Sequence, residues 1–86
     1  MDNKLTSTIA IITGAAQGIG AAIARRFVQE GGFVYVTDVN DVLGRATVTA
    51  LGDRACYLHL EVRSEEDWQR ATTHVLEAHG RLDVVV

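Results

Sequence analysis

The sequence predicts an α/β protein built on a doubly wound parallel sheet, and three observations predict it. Short apolar runs alternate with amphipathic helical periods in the order β-α-β-α-β-α-β. The runs are apolar almost throughout, as strands covered on both faces are. A glycine-rich turn joins the first run to the first helix. Right-handed crossovers then give the strand order 3-2-1-4, with the chain ending after the fourth strand.

Each element has its own signals. Thr8 to Thr13 is a β-rich run that stops at Gly14. Ile19, Ala22, Ile23, Arg26 and Phe27 fall at helical spacing, and Gly31-Gly32 ends that helix. Phe33 to Thr37 is a second strand, with Asp38 at its carboxyl end. Val42 to Leu51 is a helix closed by Gly52, expected to face the sheet through Leu43, Ala46, Thr47 and Ala50. Ala55 to Leu60 is the third strand, with Cys56 expected as a small core residue. Ser64 caps a third helix whose first turn carries Glu65, Glu66 and Asp67 at the positive end of the dipole. Trp68, Ala71, Thr72, Val75, Leu76 and His79 form its apolar face, and Gly80 ends it. Leu82 to Val86 opens a fourth strand.

Composition bounds the function. The chain has 86 residues, 48% of them hydrophobic, which is enough for one small domain and argues against disorder. Eleven acids against eight Lys and Arg give a net charge of -3, and only Arg25-Arg26 places two cations together. Nucleic acid is therefore not an expected partner. No apolar run approaches the roughly 18 residues of a membrane span. The opening Met-Asp-Asn-Lys lacks the order of a signal peptide, and one cysteine excludes an internal disulfide framework, so the cytoplasm is the expected location. His74 and Glu77 lie three apart on the outer side of the third helix, His79 on its inner side and His59 in a strand. They do not assemble a set of metal ligands.

The chemistry is concentrated at residues 13–20, Thr-Gly-Ala-Ala-Gln-Gly-Ile-Gly. A loop running from a strand into a helix offers unpaired N–H groups and a positive dipole end, which suit a pyrophosphate. Gly14 takes the sharp turn, Gly18 leaves room for a phosphate, and Gly20 lets the helix pack closely on the strand. The spacing is Gly-x-x-x-Gly-x-Gly, unlike the generic Gly-x-Gly-x-x-Gly. An ordinary tight turn is the alternative, but the position after the first strand, opening a helix, favours the phosphate cradle. Asp38 can accept both ribose hydroxyls of an adenosine and repel a 2′-phosphate, the alternative being a turn or cap aspartate. No Arg or Lys stands at Gln17 or Val39, or elsewhere in 14–20 and 38–41, so NAD is expected in preference to NADP.

With these residues in place, the sequence resembles the short-chain dehydrogenase/reductase family. The likeness rests on residues 13–20, Ala22-Ile23-Ala24, Val36 to Asn40, Leu60-Glu61-Val62 and Gly80 to Val84. It implies a Rossmann fold and NAD-linked hydride transfer between an alcohol and a carbonyl. It assigns Gly14, Gly18, Ile19 and Gly20 to the pyrophosphate with Gln17 nearby, Asp38 to the adenosine ribose, Glu61 and Val62 to the adenine, and counts Val39 among the cofactor-binding residues. Glu61 stands where the family usually has aspartate, and Val62 would contribute its backbone N–H. The family's Asn-Asn-Ala-Gly, catalytic serine and Tyr-x-x-x-Lys have no match. The only lysine is Lys4 and the only serines are Ser7 and Ser64.

The expectation is therefore the amino-terminal half of an NAD-binding domain, 1–86, inactive by itself. The complete protein would act on a small alcohol or carbonyl substrate. A non-catalytic nucleotide-binding module that assembles with other chains is the alternative. Cut after Val86, the fourth strand would present an apolar edge, so the isolated chain is expected to be poorly soluble or a homo-oligomer.

Overall fold

Strand formation follows the β-branched and apolar runs, and each helix starts where a polar or glycine residue interrupts them. The computed structural model describes residues 8–86; Lys4, Ser7 and the opening Met-Asp-Asn-Lys lie outside them. The order is β1 (Ile9–Thr13), α1 (Gly18–Gln29), β2 (Phe33–Asp38), α2 (Asp41–Leu51), β3 (Ala55–His59), α3 (Glu65–His79) and β4 (Val84–Val85). All pairings are parallel and the sheet order is β3-β2-β1-β4, as the crossover rule requires. Ile9 lies opposite Phe33, Val34 opposite Ala55, and Ala10 opposite Val84.

Side chains alternate across the sheet and divide the core in two. Ala10, Ile12, Val34, Val36 and Ala55 face α1 and α2, joined by Phe27, Val28, Val48 and Leu51. Ile9, Ile11 and Tyr35 face α3, against Val75 and Trp68. Thr37 is fully buried, and its hydroxyl donates to the Ile12 carbonyl at 2.9 Å, so it meets no unpaired cost.

Three expectations about faces are corrected. On α1, Ile19 is 82% exposed, and Ala22 and Arg26 also face outward. The packed stripe instead contains Ala24, with Ile23, Phe27 and Val28 beside it. The close approach at Gly20 sets this rotation. A Cβ there would overlap the Gly14 carbonyl and stand 2.9 Å from the Ala15 Cα. On α2, Ala46 and Ala50 are exposed and the sheet side is Gly44, Thr47, Val48 and Leu51. The larger side chains take the core, and the missing Cβ of Gly44 makes room for the Tyr57 ring. On α3 the expected face holds except at Leu76, which is half-exposed.

Cys56 is exposed and is not a core residue. Strand β3 is at the end of the sheet, and the α3 face of that strand is incompletely covered.

Candidate functional site at the carboxyl ends of the strands

The loop from β1 to α1 takes its shape from two glycines with left-handed backbones, Gly14 (φ 59°) and Gly18 (φ 64°). Space is open around both, so neither is a glycine for lack of room in the chain itself. Gly20, in contrast, is fixed by the contact just described.

Helix α1 begins differently from its neighbours. Asn40 accepts from the Leu43 N–H at the start of α2, and Ser64 accepts from the Asp67 N–H at the start of α3. Gln17, the corresponding residue of α1, makes no side-chain cap bond. The opening turn of α1, Gly18-Ile19-Gly20, thus keeps its donors and the positive end of its dipole without a cap, the arrangement suited to an anion.

Beside this loop lies a cleft of about 200 Å³ lined by Gly14, Asp38, Val39, Leu60, Glu61 and Val62. Three segments distant in sequence meet here because β1, β2 and β3 all end at the same edge. Five of the six lining residues are among those the sequence assigns to the cofactor, and Leu60, read there only as part of the third strand and the family likeness, joins them. Gln17, Gly18, Ile19 and Gly20 are at the helix terminus and do not line the cleft. Val39 and Val62 are both more than half exposed, apolar side chains left facing solvent at a concave site.

Asp38 holds more backbone than the sequence suggests. Its Oδ2 accepts from the Ala16 N–H at 3.1 Å, and its Oδ1 accepts from the Val39 and Asn40 N–H groups at 2.8 and 3.2 Å. The carboxylate therefore ties the glycine loop to the end of β2 and also shapes the turn into α2. Thr47 completes this connection from α2, its hydroxyl donating to the Ala16 carbonyl at 2.6 Å.

The far wall is held by the start of α3. The Glu61 N–H donates to Asp67 Oδ2 at 2.9 Å, and the Trp68 indole N–H donates to the Val62 carbonyl at 2.8 Å. The Glu61 carboxylate is folded back on Arg63, accepting from its N–H and from Nε, the latter at 3.0 Å. These bonds, the backbone N–H first, hold Glu61 below the usual carboxylate range. The Glu61 N–H does the same for Asp67. The Val62 N–H has no partner among the described residues.

Sequence reasoning missed Thr47, Asp67 and Trp68 as parts of this site. It placed them on helices as a sheet-facing residue, a dipole acid and a core aromatic. Each acts on a main-chain atom, which leaves no side-chain motif to find. Among the described residues no group of His, Cys, Asp and Glu can hold a metal ion, and no helix is long and apolar enough to cross a membrane.

Comparison with known proteins points the same way. Residues 8–86 match the family described as short chain dehydrogenase. Tropinone reductase-like 1 of Erythroxylum coca is 42% identical over 82 residues, 95% of this chain and 30% of that protein. Momilactone A synthase of Oryza sativa subsp. japonica is 45% identical over 83 residues, again 95% of this chain and 30% of the relative. The crystal structure of a 3-ketoacyl-(acyl-carrier-protein) reductase from Brucella melitensis, complexed with NADH, superposes with a TM-score of 0.90 at 28% identity. That match covers 95% of this chain and 34% of the other. The chain spans about a third of the length of the proteins it matches.

Proposed function

The chain belongs to the short-chain dehydrogenase family, and from that premise we propose that it is the adenosine- and pyrophosphate-binding part of an NAD-dependent oxidoreductase. One observation carries the reading. A cleft lined by Asp38, Val39 and Val62 adjoins a helix terminus that lacks the side-chain cap its two neighbours have. The residues suit the cofactor. Open space at Gly18 admits a phosphate, and Val39 and Val62 offer apolar surface to a base. The acid at Asp38 suits two hydroxyls and opposes a 2′-phosphate.

In this reading the first turn of α1, at Gly18, Ile19 and Gly20, binds the pyrophosphate, with Gly14 and Gln17 beside it. Asp38 and Val39 take the ribose, Glu61 flanks the adenine, and Val62 offers it its backbone N–H. The bound cofactor supplies the hydride acceptor or donor, and a longer protein containing this segment acts between an alcohol and a carbonyl. The 86 residues alone hold the cofactor without turnover. The serine, tyrosine and lysine implied by the family resemblance have no counterpart among them.

Titration calorimetry with NAD and NADP tests the assignment. Asp38→Asn keeps an acceptor oxygen but removes the charge, so its NADP affinity should rise relative to NAD by about tenfold, the size of a lost charge–charge repulsion near a protein surface. An unchanged ratio would remove the ribose role from Asp38.

A further inference from the structure

One group of side chains next to the cleft has no part in the reading so far. The Tyr57 hydroxyl, on β3, lies 2.8 Å from the Asp38 carbonyl and 2.5 Å from Asp41 Oδ1, and its single proton is shared between these two acceptors. His59, two residues further along β3, places Nδ1 at 2.7 Å from the same Asp41 oxygen. Because the carboxylate can only accept, the Nδ1–H donates. Tyr57 therefore contacts both ends of the short turn from Asp38 to Asp41, the turn that aims the Asp38 carboxylate and carries Val39.

We propose that Tyr57 is a positioning residue for nucleotide selection: through the Asp38 carbonyl and Asp41 it fixes the turn that presents the Asp38 carboxylate to the cofactor ribose. The inference rests on the cofactor assignment above. The site is built for the phenol. Gly44 of α2 stands against the ring, and a Cβ there would lie 2.9 Å from Cζ and closer still to other ring atoms. The Arg45 guanidinium is 5.7 Å from the ring centroid. The Asp38 carbonyl also accepts from the Leu60 N–H at 3.0 Å, so the phenol reinforces a strand bond instead of replacing one.

The roles of donor and acceptor are fixed. Burial, and then the Asp41 carboxylate, push the Tyr57 phenol well above the ordinary tyrosine range, so it keeps its proton. The Tyr57 hydroxyl, and then His59, hold Asp41 below the usual carboxylate range, so it stays an acceptor.

The test uses the full-length protein that carries this segment. Dissociation constants for NAD and for NADP are measured by calorimetry on wild type, Tyr57→Phe and Asp41→Asn, with thermal melting alongside. Tyr57→Phe keeps the ring over Gly44 and should weaken NAD about fivefold, the value of one hydrogen bond, while NADP changes little. Asp41→Asn keeps an oxygen for the phenol and should stay within about twofold of wild type. A merely structural tyrosine would lower the melting temperature and leave the NAD/NADP ratio untouched, and that result overturns the proposal. Should Tyr57→Phe fail to fold, Asp41→Ala, which strips the acceptor at the start of α2, must narrow the ratio in its place. Wild type that binds neither nucleotide would instead overturn the cofactor assignment, and this inference with it.

Discussion

At the scale of single residues, the two helix-opening glycines separate stability from binding. At Gly18 a methyl group meets open space but a left-handed backbone, a cost of about 1–2 kcal/mol for any side chain. The same methyl group would occupy the region assigned to phosphate. Gly18→Ala should therefore unfold slightly earlier in urea yet lose most of its nucleotide affinity by calorimetry. At Gly20 the methyl group meets the backbone of Gly14 and Ala15, which cannot rotate aside. Gly20→Ala should cost about 1–3 kcal/mol of overpacking in the same urea titration, with or without nucleotide present. The sequence already separates the two, giving Gly18 room for a phosphate and Gly20 close packing on the strand. The left-handed φ at Gly18 and the identity of the segment opposite Gly20 are what a spacing pattern does not contain.

At the scale of elements, the starts of α2 and α3 are secured by side chains and that of α1 is not. Ser64→Ala removes the oxygen that accepts from the Asp67 N–H and should cost about 1 kcal/mol in thermal or urea unfolding. Acid sensitivity belongs to this scale as well. Asp67 is held low by the Glu61 N–H, and Asp83 by the Ile9 N–H, whose hydrogen bond to Oδ2 measures 2.8 Å. Both carboxyls have folded values below their unfolded ones. Their contribution is thus complete above the ordinary carboxylate range and is lost as the pH falls through the lowered values. Asp83→Asn should reduce stability at neutral pH and flatten the loss on acidification below about pH 4, followed by circular dichroism. The elements themselves were legible from strand runs, caps and glycine stops. The faces of α1 and α2 were not, because Gly20 and Gly44 contribute no hydrophobicity to a helical period yet determine which side lies closest to the sheet.

At the scale of the whole molecule, the strand order could be anticipated because alternating strands and helices with right-handed crossovers leave few arrangements. The meeting of residues 14, 38–39 and 60–62 followed from it, since parallel strands end together. The Tyr57, Asp41 and His59 group did not follow, as a tyrosine within a strand reads as core and its hydroxyl partner is on another element. The sheet is also unequally covered, by α1 and α2 on one face and by α3 on the other. Val75 is the fully buried residue through which α3 meets Ile9, Ile11 and Tyr35. Truncating it to alanine should cost about 2–4 kcal/mol by urea unfolding, more than a similar change among the half-buried residues of α2.

Under the cofactor assignment proposed above, the three backbone bonds accepted by Asp38 constrain how coenzyme preference can change over evolution or by engineering. A substitution to serine or glycine, made to admit an extra phosphate, also releases Ala16 and loosens the turn into α2. A successful switch must introduce a new acceptor for the Ala16 N–H along with the new cation. Adaptive routes between the two coenzymes should therefore pass through paired changes, with the loop anchor replaced before or together with the charge.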